Sequence, residues 1–318
     1  MKKIAVFYAP LTEEHRKMIK EAADRKGFSV AFCSDEEETA REVEDAEVIF
    51  TLNANLASKG KKVRWICTPS AGVDHFLSYV TGTDIMLSNS SGAYGVTIAE
   101  HIVTVTLELM RRRCEYSKIV EKRQWRNDLP VRSVKGSRIV MLGTGDIGRE
   151  AAIRLRSFGP ESITGVNRHG SNPSGIFDEV VTSDDLERVL PDTDLLIMSL
   201  PSTDKTKAIM SKERLMMLPK TAYIVNVGRG NAIEEGALEK LLRDGELAGA
   251  ALDVFEKEPL DPASSLWDCP RLIITPHVAG NWTLPYTVDR IVDLFLEDFD
   301  NYCNDRPLCR LVDTKAGY

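Results

Sequence analysis

The chain has 318 residues and a net charge of −7 at pH 7, so it has no basic surplus to neutralise a nucleic-acid backbone. Its hydrophobic content of 43% and charged content of 28% are typical of a globular protein, and the length suggests about two domains. Its apolar runs are too short for a membrane span or a signal peptide, and six scattered cysteines indicate reduced thiols in the cytoplasm and no metal site.

The N-terminal third alternates short apolar runs with charged stretches. The runs predict strands at 4–8, 29–33, 48–52, 63–68 and 85–88, and the stretches predict helices at 12–26 and 35–45. This alternation is typical of βαβ units around a parallel sheet. The polar residues Asn53 and Asn55 follow the third predicted strand, where they would line a substrate pocket or simply form a turn.

A different pattern covers residues 97–116, which predict one long helix. Ile98, Ile102, Val105 and Leu109 form its apolar face. The predicted helix ends in a run of arginines at 111–113. We interpret this run as a solvated helix end, stabilised by the C-terminal dipole, rather than as an anion site.

A glycine pattern at 143–148 is the most informative motif of the chain. An apolar strand at 139–142 leads into Gly143, Gly145 and Gly148, and an Ala-rich helical segment follows. The spacing G-x-G-x-x-G between a strand and a helix predicts a dinucleotide site. The glycines would make the tight turn, admit the pyrophosphate and allow close helix–strand packing.

A second alternating series follows and predicts another doubly wound unit. Its strands are expected at 163–166, 179–181, 195–200, 223–227, 249–254 and 272–275, with helices at 183–190, 212–218 and 234–244. A further helix expected at 286–303 returns to the first domain. We expect an α/β fold with two doubly wound parallel-sheet domains. A Rossmann cofactor domain (98–282) is inserted into a flavodoxin-like substrate domain (1–97 plus 283–318).

Three chemically complementary residues follow strands of this second series. Arg229, Glu258 and His277 each come just after a predicted strand, and the carboxyl ends of parallel strands share one sheet edge. A histidine for proton transfer, a carboxylate to orient it and a cation to hold an anionic substrate suit carbonyl reduction.

The chain resembles the D-isomer-specific 2-hydroxyacid dehydrogenase family nearly from end to end. Four motifs carry the resemblance: R-I-V-M-L-G-T-G-D-I-G (138–148), the segment 200–230 ending in N-V-G-R-G, G-A-A-L-D-V-F-E-K-E-P-L (249–260) and T-P-H-V-A-G (275–280). Intervals of 29 residues from Arg229 to Glu258 and 19 from Glu258 to His277 are similar to the family's spacing.

The resemblance implies a role for each matching residue. His277 would be the general acid, Glu258 would hydrogen-bond its imidazolium, and Arg229 would grip the substrate carboxylate. The remaining residues carried over are those expected at the substrate (Ala71, Gly72, Val73 and Tyr94) and those expected at the cofactor (Thr97, Gly143, Gly145, Asp146, Ile147, Gly148, Asn167, Arg168, Pro201, Thr206, Asp253 and Gly280). Within these sets, Asp253 would face the nicotinamide carboxamide, and for Tyr94 an apolar hinge contact is an equal alternative.

The chain departs from the family pattern at three points. The second cofactor strand ends in Asn167-Arg168-His169 without the carboxylate that binds an NAD ribose, so we favour NADP over NAD, with Arg168 on the 2′-phosphate. Stacking of Arg168 on adenine, with both cofactors accepted, is the alternative. Asp146 is an unusual charge in a phosphate turn, and Trp282 is an atypical aromatic after the His277 loop.

The sequence therefore predicts a reductase of small 2-keto acids to D-2-hydroxy acids, first of the glyoxylate or hydroxypyruvate type. A short-form phosphoglycerate dehydrogenase and a dinucleotide-sensing corepressor remain alternatives. A formate-type dehydrogenase is disfavoured because it pairs glutamine, not glutamate, with the histidine. The family resemblance also implies a homodimer formed through the cofactor domain, and we expect no nucleic-acid or membrane partner.

Overall fold

A computed structural model describes residues 2–318, which form two compact units. The first consists of the chain up to Tyr94 together with Asn281–Tyr318, and the second of Gly95–Gly280. The division lies a few residues before the expected boundaries at 97/98 and 282/283. The reason at the first boundary is that a helix begins at Gly95 and belongs wholly to the second unit.

The first unit contains a five-stranded parallel sheet. Its strands are β1 (Lys2–Phe7), β2 (Phe28–Phe32), β3 (Val48–Thr51), β4 (Trp65–Cys67) and β5 (Met86–Ser88), in the order β2-β1-β3-β4-β5. The connecting helices are α1 (Glu13–Arg25), α2 (Glu36–Glu42), α3 (Ala54–Ala57) and α4 (Asp74–Val80). This strand order is flavodoxin-like, as expected, whereas the short helices α3 and α4 were not predicted.

Stacked aromatic rings join this sheet to the C-terminal helix (Pro285–Cys303). The ring of Phe295 stacks on Phe50 with centroids 4.7 Å apart and on Trp65 with centroids 5.5 Å apart. The Trp65 indole N–H, which is fully buried, donates a hydrogen bond to Ser88 Oγ at 2.9 Å. The C-terminal helix thus packs into the same core as the strands of the N-terminal third.

The second unit contains a seven-stranded parallel sheet with a Rossmann-type arrangement. Its strands are β6 (Arg138–Leu142), β7 (Ser162–Asn167), β8 (Glu179–Thr182), β9 (Leu195–Met198), β10 (Tyr223–Asn226), β11 (Gly249–Leu252) and β12 (Leu272–Ile274). The order is β12-β11-β10-β9-β6-β7-β8. Since β6 lies between β7 and β9, the direction of winding reverses beside β6, which is where such sheets bind ligands.

Six α-helices flank this sheet, and they correct one prediction. They are α5 (Gly95–Met110), α6 (Arg113–Glu121), α7 (Asp146–Arg156), α8 (Leu186–Val189), α9 (Lys212–Met217) and α10 (Glu235–Asp244). The single long helix expected at 97–116 is wrong, because α5 ends at Met110 and Arg112 has a left-handed φ of 52°. The apolar face also ends there, since α6 has no buried residue.

Candidate active site

The turn between β6 and α7 has the geometry that a dinucleotide pyrophosphate requires. Gly143 has φ of +100°, and a Cβ at Gly148 would lie 2.0 Å from the Gly143 carbonyl oxygen, so both positions need glycine. A Cβ at Gly145 would meet no atom within 4 Å, so the backbone there is open to a ligand. Close packing on one side and open space on the other fit the residues to the phosphates of a dinucleotide.

The end of β7 is tied to this turn by an asparagine. Asn167 Nδ2 donates to Thr144 Oγ1 at 2.8 Å and to the Ser171 carbonyl at 2.9 Å. Asn167 Oδ1 accepts from the His169 N–H. The next side chain, Arg168, is exposed at the tip of the loop. Asn167 therefore braces the turn, and the charge at the tip of this strand is basic instead of acidic.

Arg229 lies in a tightly packed loop after β10. Gly228 and Gly230 flank it, and a Cβ at Gly230 would lie 1.9 Å from the Phe255 carbonyl carbon, so only glycine permits this approach. Asn226 Nδ2 donates to the Arg229 carbonyl at 2.9 Å, and Arg229 Nη1 donates to the Gly228 carbonyl at 2.8 Å. The Arg229 loop is thereby fixed against the segment that leads to Glu258.

The structure brings the predicted histidine and glutamate together. His277 Nδ1 lies 2.7 Å from Glu258 Oε2, and the second carboxylate oxygen of Glu258 accepts from the Phe255 N–H at 2.9 Å. The side chain of His277 is 53% exposed, so the ring is accessible to a reactant. A carboxylate that fixes one ring nitrogen leaves the other to exchange a proton.

Asp253, only 2% exposed, holds the loop that carries His277. Its Oδ1 accepts from Thr275 Oγ1 at 2.6 Å and from the Val278 N–H at 2.9 Å, and its Oδ2 accepts from the Ala279 N–H at 3.0 Å. Its carbonyl accepts from the N–H of His277, which has φ of 53°. The carboxylate therefore stabilises a turn in which His277 adopts a left-handed conformation; its expected place at the nicotinamide carboxamide stays a prediction.

Two further polar residues near this centre are not among the predicted site residues. The half-buried Glu235 accepts a hydrogen bond from the Glu256 N–H, and burial raises the pKa of the Glu235 carboxyl. His101 Nε2 lies 3.4 Å from Thr275 Oγ1, and burial lowers the pKa of the His101 ring. Because the Thr275 hydroxyl donates to Asp253, it accepts from His101, and the ring supports the same loop.

The predicted substrate loop of the first unit is anchored through its carbonyl groups. The Ser70 carbonyl accepts from the Ser90 N–H at 2.9 Å, and the Ala71 carbonyl accepts from Asn89 Nδ2 at 3.0 Å. The Gly72 carbonyl accepts from Ser70 Oγ at 2.5 Å. These bonds fix the loop without using the N–H groups of residues 71–73, which are the groups that the family resemblance assigns to the substrate carboxylate.

Tyr94 supports the start of this loop. Its hydroxyl donates to the Pro69 carbonyl at 2.5 Å and accepts from the Trp282 indole N–H at 3.0 Å. Burial raises the pKa of Tyr94 to about 12. The atypical Trp282 thus has a defined partner, and the Tyr94 hydroxyl is used within the first unit.

The other predicted residues have local roles. Thr206 Oγ1 donates to the Pro201 carbonyl at 2.6 Å and shapes the turn after β9. Thr97 and Ile147 lie near the starts of α5 and α7, and Gly280 ends the second unit. Asn53, one of the two asparagines considered for a substrate pocket, caps α3 through Leu56 N–H. These residues remain predicted ligand contacts.

Residues 2–318 lack two kinds of feature. No group of three or more His, Cys, Asp or Glu side chains in that range is arranged to hold a metal ion. Within the same range, no helix has both the length and the apolar composition needed to cross a membrane.

Known proteins similar to this chain point to one family. Residues 103–279 match the family described as "D-isomer specific 2-hydroxyacid dehydrogenase, NAD binding domain". A glyoxylate reductase of Thermofilum pendens is 32% identical over 256 residues, which are 77% of this chain and 75% of the relative. A glyoxylate/hydroxypyruvate reductase B of Erwinia tasmaniensis is 28% identical, and the matched region covers 88% of this chain and 90% of the relative.

Solved structures agree over the whole length. A D-isomer-specific 2-hydroxyacid dehydrogenase family protein from Aeromonas salmonicida superposes with a TM-score of 0.87 at 29% identity, covering 99% of this chain and 100% of its own. An NADPH-dependent glyoxylate/hydroxypyruvate reductase from Sinorhizobium meliloti, in complex with NADP and sulfate, gives 0.83 at 26% identity, with both chains fully covered. The match of more than half the chain to the family's cofactor domain, together with these relatives, shows that the protein belongs to the D-isomer-specific 2-hydroxyacid dehydrogenase family.

Proposed function

We propose that the protein reduces a small 2-keto acid of the glyoxylate or hydroxypyruvate type to the D-2-hydroxy acid, with NADPH preferred over NADH. The observation that carries the proposal is the 2.7 Å pair between His277 Nδ1 and Glu258 Oε2, which adjoins the carboxyl edge of the dinucleotide-binding sheet. The names of the relatives from Thermofilum pendens and Sinorhizobium meliloti support the substrate class.

The residues divide the chemistry among them. The nicotinamide, when bound, supplies the hydride that reduces the keto carbon. His277 donates a proton to the keto oxygen, and Glu258 stabilises the charged ring before that transfer. Arg229 binds the substrate carboxylate, because its guanidinium offers paired donors to a planar anion. In the direction of oxidation, His277 is the base that accepts the hydroxyl proton.

In the first unit, we assign substrate binding to the N–H groups of Ala71, Gly72 and Val73. The bonds that anchor the loop through its carbonyls support this role, since they order the backbone while small side chains leave it accessible. Tyr94 acts on the same loop through the Pro69 carbonyl, whether or not its ring also contacts the substrate.

The preference for NADPH rests on the tip of β7. Asn167 is engaged with Thr144, and Arg168 stands at the position where an NAD-specific protein places a carboxylate for the ribose 2′-OH. A guanidinium is suited to a 2′-phosphate. The structural relative from Sinorhizobium meliloti, described as NADPH-dependent, supports this choice.

The decisive experiment follows NADPH and NADH oxidation at 340 nm with glyoxylate, hydroxypyruvate, pyruvate and longer 2-keto acids. His277→Gln is expected to lower kcat by at least about 100-fold, since general acid catalysis contributes about 10²–10⁴. Retained NADPH binding by the variant, measured by calorimetry, is the control for folding. Binding of cofactor by the wild type without turnover of any 2-keto acid would overturn the reductase assignment and favour a sensor.

We also propose a homodimer located in the cytoplasm. The fully exposed Trp125, which follows α6, and the absence of buried residues in α6 support an interface on this side of the second unit. The six cysteines are free, which fits a reducing compartment. Sedimentation of the wild type and of Trp125→Ser tests the interface, and a monomeric wild type would contradict it.

A further inference from the structure

Asp146, the unusual acidic residue of the dinucleotide turn, contacts the start of another helix. It directly follows Gly145 and begins α7, and its carboxylate lies against Gly95, the first residue of α5. A Cβ at Gly95 would lie 2.4 Å from Asp146 Oδ2 and 2.6 Å from Oδ1. The carboxylate therefore fits against the N-terminus of α5 only because residue 95 is glycine.

The charge of Asp146 is only partly neutralised by side chains. Arg149 Nη2 lies 3.7 Å from Asp146 Oδ1 but is closer, at 3.0 Å, to Glu150 Oε1. Asp146 Oδ2 is buried and has no hydrogen-bond partner within residues 2–318. Burial raises the pKa of the carboxyl, while the Gly95 N–H and Arg149 oppose this shift. The partial positive charge at the start of α5 thus contributes to stabilising the carboxylate.

A carboxylate at this position has a consequence for cofactor binding. The phosphates of a dinucleotide bind to the N–H groups at the start of the helix that follows the glycine turn, which here is α7. Asp146 is the first residue of that helix. An unrestrained carboxylate there would repel the phosphates and compete for the same N–H groups.

We propose that Asp146 is a positioning residue for dinucleotide binding, whose carboxylate is held against Gly95 at the start of α5 and so leaves the turn free for the cofactor phosphates. The inference rests on the dinucleotide cofactor of the proposed function. It also assigns Gly95 a role in cofactor affinity, because the space next to Gly95 determines where the Asp146 carboxylate lies.

A first test compares two substitutions of equal size and different charge. In Asp146→Glu, the longer carboxylate does not fit the space above Gly95 and is displaced toward the turn. Asp146→Gln displaces a neutral group of the same shape. We expect the Kd of D146E for NADPH to exceed that of D146Q by about fivefold, the scale of one charge at a helix terminus. Isothermal titration calorimetry measures Kd, and thermal unfolding reports folding separately.

A second test changes the glycine. Gly95→Ala places a methyl group against the carboxylate, so we expect NADPH to bind about fivefold more weakly. The same substitution in an Asp146→Ala background has no carboxylate to displace, and its effect on Kd should fall below about twofold, as expected of two coupled sites in a double-mutant cycle. A merely structural contact would change the melting temperature without this coupling in Kd.

The outcomes separate this inference from the proposed function. Equal Kd values for D146E and D146Q, or a G95A effect that persists in the D146A background, would overturn the role of Asp146 while leaving the reductase intact. A wild-type protein that binds neither NADPH nor NADH would instead refute the dinucleotide function, and the inference with it.

Discussion

The two oxygens of Glu258 have different partners: Oε2 lies 2.7 Å from His277 Nδ1, and Oε1 accepts a hydrogen bond from the backbone N–H of Phe255. An ionised carboxylate only accepts hydrogen bonds, so Nδ1 of His277 carries a hydrogen. In the proposed mechanism, Nε2 is then the nitrogen that exchanges a proton with the substrate. The backbone of Phe255 thereby contributes to the orientation of the ring through Glu258.

Glu258→Gln is expected to lower kcat for keto-acid reduction by roughly 100-fold, which is the low end of general acid–base contributions. Without the carboxylate, Nδ1 of His277 loses the acceptor that orients the ring. The measurement is kcat for reduction at saturating NADPH and keto acid.

Glu256→Gln provides the matched control for this prediction. Glu256 lies two residues earlier in the same loop, and its exposed side chain is outside the His277 pair. Glu256→Gln removes the same charge as Glu258→Gln, so its kcat should stay close to that of the wild type. Equal losses of kcat in the two variants would show that loop charge, and not the ion pair, governs the rate.

Asp253→Asn is expected to reduce both stability and activity. The carboxylate accepts from Thr275 Oγ1 and from two backbone N–H groups. An asparagine amide has only one acceptor oxygen, and its NH2 group would face donors that the second carboxylate oxygen now accepts from. Leaving a buried donor unpaired costs about 1–3 kcal/mol. We therefore expect a lower melting temperature, and a lower kcat because His277 loses its fixed left-handed backbone.

Thr275→Val is the companion variant. It removes the hydroxyl that links Asp253 to His101 but leaves the two backbone bonds of Asp253 in place. Its loss of kcat should be smaller than that of Asp253→Asn. If Asp253→Asn lowers the melting temperature and leaves kcat unchanged, Asp253 does not position His277.

The fold was predictable because the chain repeats one local pattern. Apolar runs alternate with charged helices, and the G-x-G-x-x-G turn identifies which sheet binds a dinucleotide. The long helix expected at 97–116 fails for a local reason: the left-handed conformation of Arg112 has no signal in the sequence, since arginine rarely adopts it. Helices α3 and α4 are too short to show a helical period.

The central contact of the candidate site was predictable because motif and spacing carried it. His277 and Glu258 are separated by 19 residues in the sequence yet are in contact, as the resemblance implied. The contacts that hold other site residues in place were not predictable in the same way. Asp146 was expected at the cofactor, but its contact with Gly95 joins residues 51 positions apart and depends on the packing of α5 on α7.

Tyr94→Phe is expected to raise KM for the keto acid more than it lowers kcat. The hydroxyl supports the Pro69 carbonyl just before the loop at 71–73, so its loss loosens the proposed substrate contacts. One such hydrogen bond contributes about 0.5–1.5 kcal/mol to stability. Because burial raises the pKa of Tyr94 to about 12, the hydroxyl stays protonated below pH 10, and the effect should not vary between pH 6 and 9.

Two comparisons check the prediction for Tyr94. Trp282→Phe removes the indole donor to the Tyr94 hydroxyl but leaves the bond to Pro69, so its effect on KM should be smaller. Tyr79→Phe removes a hydroxyl from a partly buried tyrosine of α4 and serves as the control. A KM for Tyr94→Phe that changes no more than that of Tyr79→Phe would contradict a role for Tyr94 in ordering the loop.

Arg168→Ala is expected to weaken the binding of NADPH more than the binding of NADH. A hydrogen bond to a charged group contributes about 1.5–3 kcal/mol, so KM for NADPH should rise at least about tenfold while KM for NADH changes little. Arg168→Asp introduces the carboxylate that binds a ribose 2′-OH and should reverse the preference. Steady-state kinetics with both cofactors at a saturating keto acid provides the measurement.

Arg188→Ala supplies the electrostatic control for this prediction. Arg188 is an exposed arginine of the same unit that pairs with Glu179, so the substitution removes an equal charge at another place. It should leave the NADPH to NADH ratio of kcat/KM unchanged. If Arg168→Ala raises KM for NADPH and for NADH by the same factor, Arg168 contacts a part that both cofactors share, such as the adenine. The assignment of Arg168 to the 2′-phosphate would then be wrong.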